Sequence, residues 1–147
     1  MDIRRISAAE TRQLRQQVLR PQQRPEEQVY PNDDAPDTLH AGAFQDGRLI
    51  GIATVLSEPP PDENDARAWR LRGMAVLPAA QHQGIGRALV EFCLAHIRTH
   101  GGSEVWCKGR TSVRAFYESS GFSPTGEEFD LPITGLHFVF RRRLEGD

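Results

Sequence analysis

Apolar positions along the chain change period several times, and each change marks an element. Residues 3–6, Ile-Arg-Arg-Ile, are a candidate first strand. Ser7 followed by Glu10 has the spacing of a capping box, and it opens a helix carried by Leu14, Val18 and Leu19 that Pro21 ends. Residues 21–36 are polar and hold four prolines, with Glu26, Glu27 and then Asn32, Asp33 and Asp34, so they read as a long connection with room for one short helix. Strand patterns return at 38–45 and 49–56, joined by Asp46-Gly47, a strong hairpin signal. Residues 58–65 read as a rigid exposed loop and 66–76 as a third antiparallel strand, broken at Pro78. An amphipathic helix over 84–99 has Ile85, Leu89, Phe92 and His96 on or near one face and is closed by Gly101-Gly102. A strand at 104–107, a helix at 112–119 and two strands near 122–129 and 136–142 complete the order. The pattern predicts one domain over residues 1–147, of mixed α/β (α+β) class, without repeats or low complexity.

Composition narrows the class of protein without naming a function. A chain of 147 residues with a hydrophobic fraction of 38% can bury a core without disulfides or a structural metal. The net charge of -2 argues against a general nucleic-acid binder, and Arg141, Arg142 and Arg143 read as a solvated strand end. No apolar run approaches the length of a membrane span, and the start, Met1-Asp2-Ile3-Arg4-Arg5, has no apolar stretch behind it, so a cytoplasmic location is expected. Cys93 and Cys107 read as reduced packing thiols. His96 and His100, four apart on a helix, lack a third ligand and read as complements to the helix C-terminus, so no metal site is expected.

The chemistry concentrates where the third antiparallel strand meets the long helix. Gln81-His82-Gln83-Gly84-Ile85-Gly86-Arg87 reads as a glycine-rich turn opening a helix. Two glycines allow close backbone approach, and the amides of a first helical turn, which lack intrahelical partners, point toward an anion. A phosphate-bearing ligand is expected. The turn lacks the Gly-Lys-Ser/Thr ending of a P-loop, which disfavours an ATP-binding domain.

With Gln81, Gly84 and Gly86 at fixed positions, this turn resembles the Q/R-x-x-G-x-G/A acyl-coenzyme A signature of the GNAT acetyltransferases. Farther on, Ala115-Phe116-Tyr117-Glu118-Ser119-Ser120-Gly121-Phe122 is similar to the family's second motif. The resemblance extends over nearly the whole order of elements. It implies a mixed, mostly antiparallel sheet of six to seven strands with flanking helices, and a cofactor cleft between two splayed central strands. It also implies that backbone at Met74, Ala75 and Val76 pairs with pantetheine, that residues 81–87 hold the pyrophosphate, and that Phe116 and Tyr117 border the cofactor. The cofactor implied is acetyl-CoA, the partner is a small-molecule or peptide amine, and a homodimer is compatible with the family.

Acyl transfer to an amine needs a base for the amine proton, a donor near the thioester oxygen and an acid for the leaving thiolate. The resemblance assigns the acid to Tyr117, and a backbone amide near Met74 or Ala75 is the candidate oxygen donor. The base is open. The strand before the glycine turn, Trp69-Arg70-Leu71-Arg72-Gly73, has none of the carboxylates often found there. His40 and His137, each within a strand pattern, are the leading candidates because imidazole titrates in the useful range; Asp33, Asp34, Asp37, Glu104 and Glu128 are the others. Arg110 stands where the family commonly has an asparagine, seven residues before Tyr117, and would bind a cofactor phosphate or an acidic acceptor. The expected activity is N-acetyl transfer from acetyl-CoA to a primary amine in a ternary complex. The alternative is a catalytically silent acyl-CoA-binding module acting as a sensor or interaction domain.

Overall fold

The computed structural model describes residues 1–132 and 134–144. In chain order the elements are β1 (Asp2–Ile6), α1 (Ala8–Leu14), β2 (Leu39–Gln45), β3 (Arg48–Ser57), β4 (Ala68–Val76), α2 (Ile85–Thr99), β5 (Glu104–Arg110), α3 (Arg114–Ser119), β6 (Ser123–Leu131) and β7 (Gly135–Arg143). The capping box at the start of α1 forms in both directions: Glu10 N–H donates to Ser7 Oγ (3.2 Å), and Ser7 N–H donates to Glu10 Oε1 (2.8 Å). The helix then widens into a π-helical turn over Arg15–Leu19, where Arg20 N–H reaches back to the Arg15 carbonyl (3.0 Å). The Asp46-Gly47 hairpin is a two-residue turn with positive φ at both positions, and it sets Gln45 opposite Arg48. The helix expected over 112–119 begins instead as a tighter 3-10 turn at Thr111–Val113 and is α-helical only from Arg114.

All seven strands form one sheet in the order β1-β2-β3-β4-β5-β7-β6. Every neighbouring pair is antiparallel except β4 and β5, which run parallel and are joined by the α2 crossover. Helix α2 covers one face with Ile85, Leu89, Val90, Cys93, Leu94 and Ile97, all buried. Each such aliphatic side chain removed from water contributes about 1.5–3 kcal/mol. On the other face Leu14 of α1 packs with Ile6, Ile52 and Ala75.

Two features of β4 open the sheet. Its register against β3 shifts between the pairs Ile52↔Ala75 and Thr54↔Arg72, so Gly73 and Met74 together oppose Ala53. This is a β-bulge, and Gly73 takes the positive φ (62°) that it requires. Against β5, only Ala68, Trp69 and Arg70 pair, with Glu104, Val105 and Trp106. Beyond them residues 71–76 and 107–110 part, leaving one edge of each strand without a ladder.

Candidate functional site

The cleft between β4 and β5 ends at the α2 turn. His82 (φ 64°) and Gly84 (φ 80°) both adopt left-handed backbone, and Gly84 is the N-cap of α2. The first backbone bond of the helix runs from Ala88 N–H to the Gly84 carbonyl (3.1 Å). Helix geometry therefore leaves the amides of Ile85, Gly86 and Arg87 without helical partners at the mouth of the cleft. Gln81 Nε2 donates to the Val76 carbonyl (3.0 Å), which ties the turn to the end of β4. The Arg87 guanidinium donates to the Ser119 carbonyl (2.7 Å) and links α2 to α3. An extended, amide-bearing chain that ends in a phosphate fits this combination of open strand edge and unpaired helical amides.

The two glycines of the turn have different reasons to be glycine. Around Gly84 there is open space for a side chain, and its constraint is the backbone angle. A Cβ at Gly86 would lie 3.0 Å from Phe116 Cε1, so this glycine seats the α3 aromatic on the first turn of α2. To the close backbone approach expected of both glycines the structure adds a second role at Gly86, where exchange disturbs helix packing as well.

On the α3 side, Tyr117 is 8% exposed and stacks on Phe140 (centroids 4.8 Å apart, 25° between planes). A Cβ on Gly109 would stand 2.5 Å from the Tyr117 ring, so the bare strand makes room for it. The phenol meets the Cys107 thiol, and burial first, then that sulfur, push its pKa well above the ordinary tyrosine value against an opposing effect of Arg110. The phenol stays protonated throughout the physiological range. Burial likewise raises both thiols, Cys93 and Cys107, to about 12.

The opposite face of β5 carries different chemistry. Cys107 and Phe140 are register partners on the α3 face, so strand alternation sends Trp106, Lys108 and Arg110, with His137 of β7, to the other side. Arg110 and His137 are themselves register partners. His137 is 5% exposed and lies flat against Phe129 (centroids 5.8 Å apart), and its Nδ1 is 2.6 Å from the Gly135 carbonyl. A carbonyl only accepts, so the proton sits on Nδ1; Nε2 keeps its lone pair and has no partner among the described residues. Lys108 and Arg110 also have no hydrogen-bond or ion-pair partner among the described residues.

Across the cleft, the face of β4 meets the long connection through a buried charge cluster. Arg15, with 0% exposure, donates from Nη1 to Asp33 Oδ2 (2.7 Å) and from Nη2 to Asp33 Oδ1 (3.1 Å). Its Nη1 also reaches the Gln28 carbonyl (3.1 Å), and its Nη2 reaches Thr54 Oγ1 (3.2 Å). Arg72 Nη2 donates to Asp33 Oδ1 (2.9 Å) and to the Pro31 carbonyl, and the Tyr30 amide donates to Asp33 Oδ2 (3.0 Å). The Tyr30 ring lies 4.1 Å from the Arg15 guanidinium carbon. Burial alone would raise the pKa of Asp33, but the Arg15 bonds, the Tyr30 amide and Arg72 outweigh it and hold the carboxyl below its ordinary range.

His40 belongs to this cluster. Its Nε2 donates to the Asp33 carbonyl (2.8 Å), and its Nδ1 accepts from the Thr54 hydroxyl (2.8 Å), which in turn receives Arg15. Neither ring nitrogen is free to take a proton from a substrate. Burial outweighs the opposing Asp33 carbonyl bond and leaves its pKa below the ordinary histidine value. Sequence reading had no account of Arg15, Gln28, Tyr30, Thr54 and Arg72 as a unit. One signal existed: Arg15 falls in the buried stripe of the first helical segment beside Thr11 and Leu14, where a lone guanidinium demands a buried partner.

The remaining carboxylate candidates lie elsewhere. Glu104 sits at the closed end of the cleft and takes two bonds from Arg141 (3.0 and 2.7 Å), which also grips Glu63 (2.7 and 2.9 Å). Arg141 is thus a cross-link rather than the solvated strand end expected. Glu128 accepts from the Thr111 hydroxyl (2.6 Å). His96 bonds the Asp37 carbonyl (2.9 Å), and His100 donates to the His96 carbonyl (2.9 Å). Among the described residues no group of three or more His, Cys, Asp or Glu is arranged to hold a metal, and no helix is long and apolar enough to cross a membrane.

An acyltransferase architecture is what this splayed sheet and amide-lined turn define. A profile of the acetyltransferase (GNAT) family matches residues 3–122. The chain is 35% identical over 144 residues to a Bacillus subtilis (strain 168) protein named uncharacterized N-acetyltransferase YitI, covering 98% of this chain and 97% of that one. The chain belongs to the GNAT acetyltransferase family. Among solved structures, Escherichia coli ElaA has a TM-score of 0.76 at 20% identity, covering 96% of this chain and 98% of that one. An aminoglycoside 6'-N-acetyltransferase complexed with coenzyme A has a TM-score of 0.69 at 15% identity, covering 97% of both chains. At those identities the likeness is one of fold.

Proposed function

We propose that this chain transfers an acetyl group from acetyl-coenzyme A to a primary amine by direct attack within a ternary complex. The observation that carries this reading is the parting of β4 and β5 after Arg70 and Trp106, with an amide-lined helix start at its open end. The solved coenzyme A complex of a protein with this fold supports the choice of cofactor. Acetyl-coenzyme A, when bound, supplies an acetyl thioester whose C–S bond breaks as the acceptor's N–C bond forms.

The chain's own residues divide the remaining tasks. Backbone at Met74, Ala75 and Val76 holds the amide-bearing arm of the cofactor along the free edge of β4. Residues Gln81, His82, Gln83, Gly84, Ile85, Gly86 and Arg87 hold the pyrophosphate, chiefly through the unpartnered amides at the start of α2, with Phe116 bracing the turn. An amide at Met74 or Ala75 donates to the thioester oxygen as it gains charge. An alkylamine with a pKa of about 10 arrives mostly protonated, so a base is required. His137 Nε2, the imidazole nitrogen left with a free lone pair, takes that proton directly or through water. Tyr117, kept protonated by burial, donates to the departing sulfur from the other face of β5.

Calorimetric titration with acetyl-coenzyme A, followed by thiol release with and without a panel of amines, tests the reading. Binding with acceptor-dependent thiol release is expected. Failure to bind would overturn the assignment of the α2 turn, and binding without release from any amine would favour a silent acyl-coenzyme A module.

A further inference from the structure

The β5 wall of the cleft carries positive charge that no ion pair among the described residues answers. Lys108 and Arg110 project from one face of β5, and neither has a partner among the described residues. The carboxylates near that face have other partners: Glu58 has Arg70 (3.0 Å), Asp33 has Arg15 (2.7 Å) and Arg72 (2.9 Å), Glu104 has Arg141 (2.7 Å), and Glu128 has the Thr111 hydroxyl (2.6 Å). A half-buried guanidinium left unpaired beside a cleft, in a chain whose net charge is -2, is a site for an anion brought from outside. The face matters as much as the charge. By strand alternation Arg110 leaves β5 on the face opposite α2 and α3, the face it shares with Trp106, while its charge still reaches the Tyr117 phenol. It also stands directly across the ladder from His137.

We infer that the acceptor is an amine that also carries a carboxylate, bound by Arg110 with help from Lys108, with its amino group directed to His137. Antiparallel register partners hold their Cβ atoms about 4.5–5.5 Å apart, so the two side chains leave the sheet side by side, and a carboxylate at one with an amine at the other suits a short spacer, as in an amino acid or the end of a small peptide. This inference rests on the transferase reading for the role of His137. The binding of the carboxylate to Arg110 can be measured without turnover.

The test titrates matched amines into the protein saturated with coenzyme A: amino acids against their carboxamides, ω-amino acids against alkylamines of equal length, and phosphoethanolamine against ethanolamine. The carboxylated member of each pair is expected to bind about 10- to 100-fold more tightly than its neutral mate, the usual range for a hydrogen bond to a charged group. Arg110→Gln is expected to abolish that ratio and Arg110→Lys to retain part of it, with coenzyme A affinity unchanged in both. Equal binding of carboxylated and neutral amines overturns the inference, as does no binding of any carboxylated amine at millimolar concentration. A preference for phosphoethanolamine alone overturns the carboxylate assignment. Loss of coenzyme A affinity in Arg110→Gln would place the guanidinium on a cofactor phosphate instead and equally overturn it. Discrimination in the coenzyme A complex with no thiol release from any acceptor would overturn the transferase reading while leaving the anion site standing.

Discussion

The two walls of the cleft present their polar atoms in opposite ways. Against β4, Arg15, Asp33, Arg72, His40, Thr54 and Gln28 bond to one another and bury themselves, and of their fully buried side-chain atoms the Nε of Arg15 and of Arg72 lack partners. Against β5, Lys108 and Arg110 are unpaired among the described residues, and His137 is held by one nitrogen only. Each wall contributes a histidine from a strand, 5% exposed in both cases. What separates them is occupancy of the ring nitrogens. An imidazole with both atoms bonded fixes a structure, and one with a free lone pair can move a proton.

Breaking the β4 wall should have the largest effect on stability. Asp33→Ala leaves two buried guanidinium groups without their shared counter-charge, and the expected loss is about 3–5 kcal/mol, read from the urea midpoint. Arg110→Ala on the other wall should stay within about 0.5 kcal/mol of the parent. Equal losses from the two substitutions would erase the distinction drawn here.

The contrast then sharpens on turnover. His137→Gln is expected to lower kcat by at least about 10²-fold and to remove one limb of the pH–rate profile, while His40→Gln should leave that profile in place. Loss of the limb in the His40 variant instead would move the base to the β4 wall. A smaller effect, about tenfold on kcat with little change in KM, is expected for Tyr117→Phe, the size of one hydrogen bond to a developing thiolate. An equal loss of affinity for the cofactor would make the ring a packing element alone.

The part of this that sequence could reveal is the part encoded locally. The capping box at Ser7 and Glu10, the Asp46-Gly47 turn and the glycine spacing at 84 and 86 act within a few residues, so the order of elements and the glycine turn that opens α2 were legible. The mostly antiparallel sheet with one splayed parallel pair agrees with the family likeness. The charge cluster was not legible because its members come from positions 15, 33, 40, 54 and 72, and each alone reads as a surface charge or a strand polar residue. Arg15 in a buried helical stripe was the exception that sequence offered. The bulge at Gly73 was hidden for a related reason, since a two-against-one register exists only once β3 is paired with β4. His40 and His137 looked equivalent because nitrogen occupancy is a property of neighbours brought in by the fold.

The mildest expected effect follows from the same occupancy. The pKa of His40 is lowered by burial below its ordinary 6.5, so the unfolded chain binds a proton in a range where the folded chain does not. The corresponding stability is fully present above the unfolded value and declines as pH falls below about 6.5. Protonation would turn Nδ1 from acceptor to donor against a Thr54 hydroxyl that already accepts from Arg15, costing on the order of 1 kcal/mol, one buried hydrogen bond. Asp33 acts later on the same acid limb: with its pKa held below the ordinary 3.8, its contribution begins to decline below about 3.8 and is lost as pH falls through the folded value. Thermal unfolding followed from pH 8 to pH 3 should therefore fall in two stages, and His40→Gln, whose amide can serve both bonds without titrating, should remove the upper one. Persistence of that upper stage in the His40 variant would assign it to another group and make the β4 wall insensitive to the imidazole's charge.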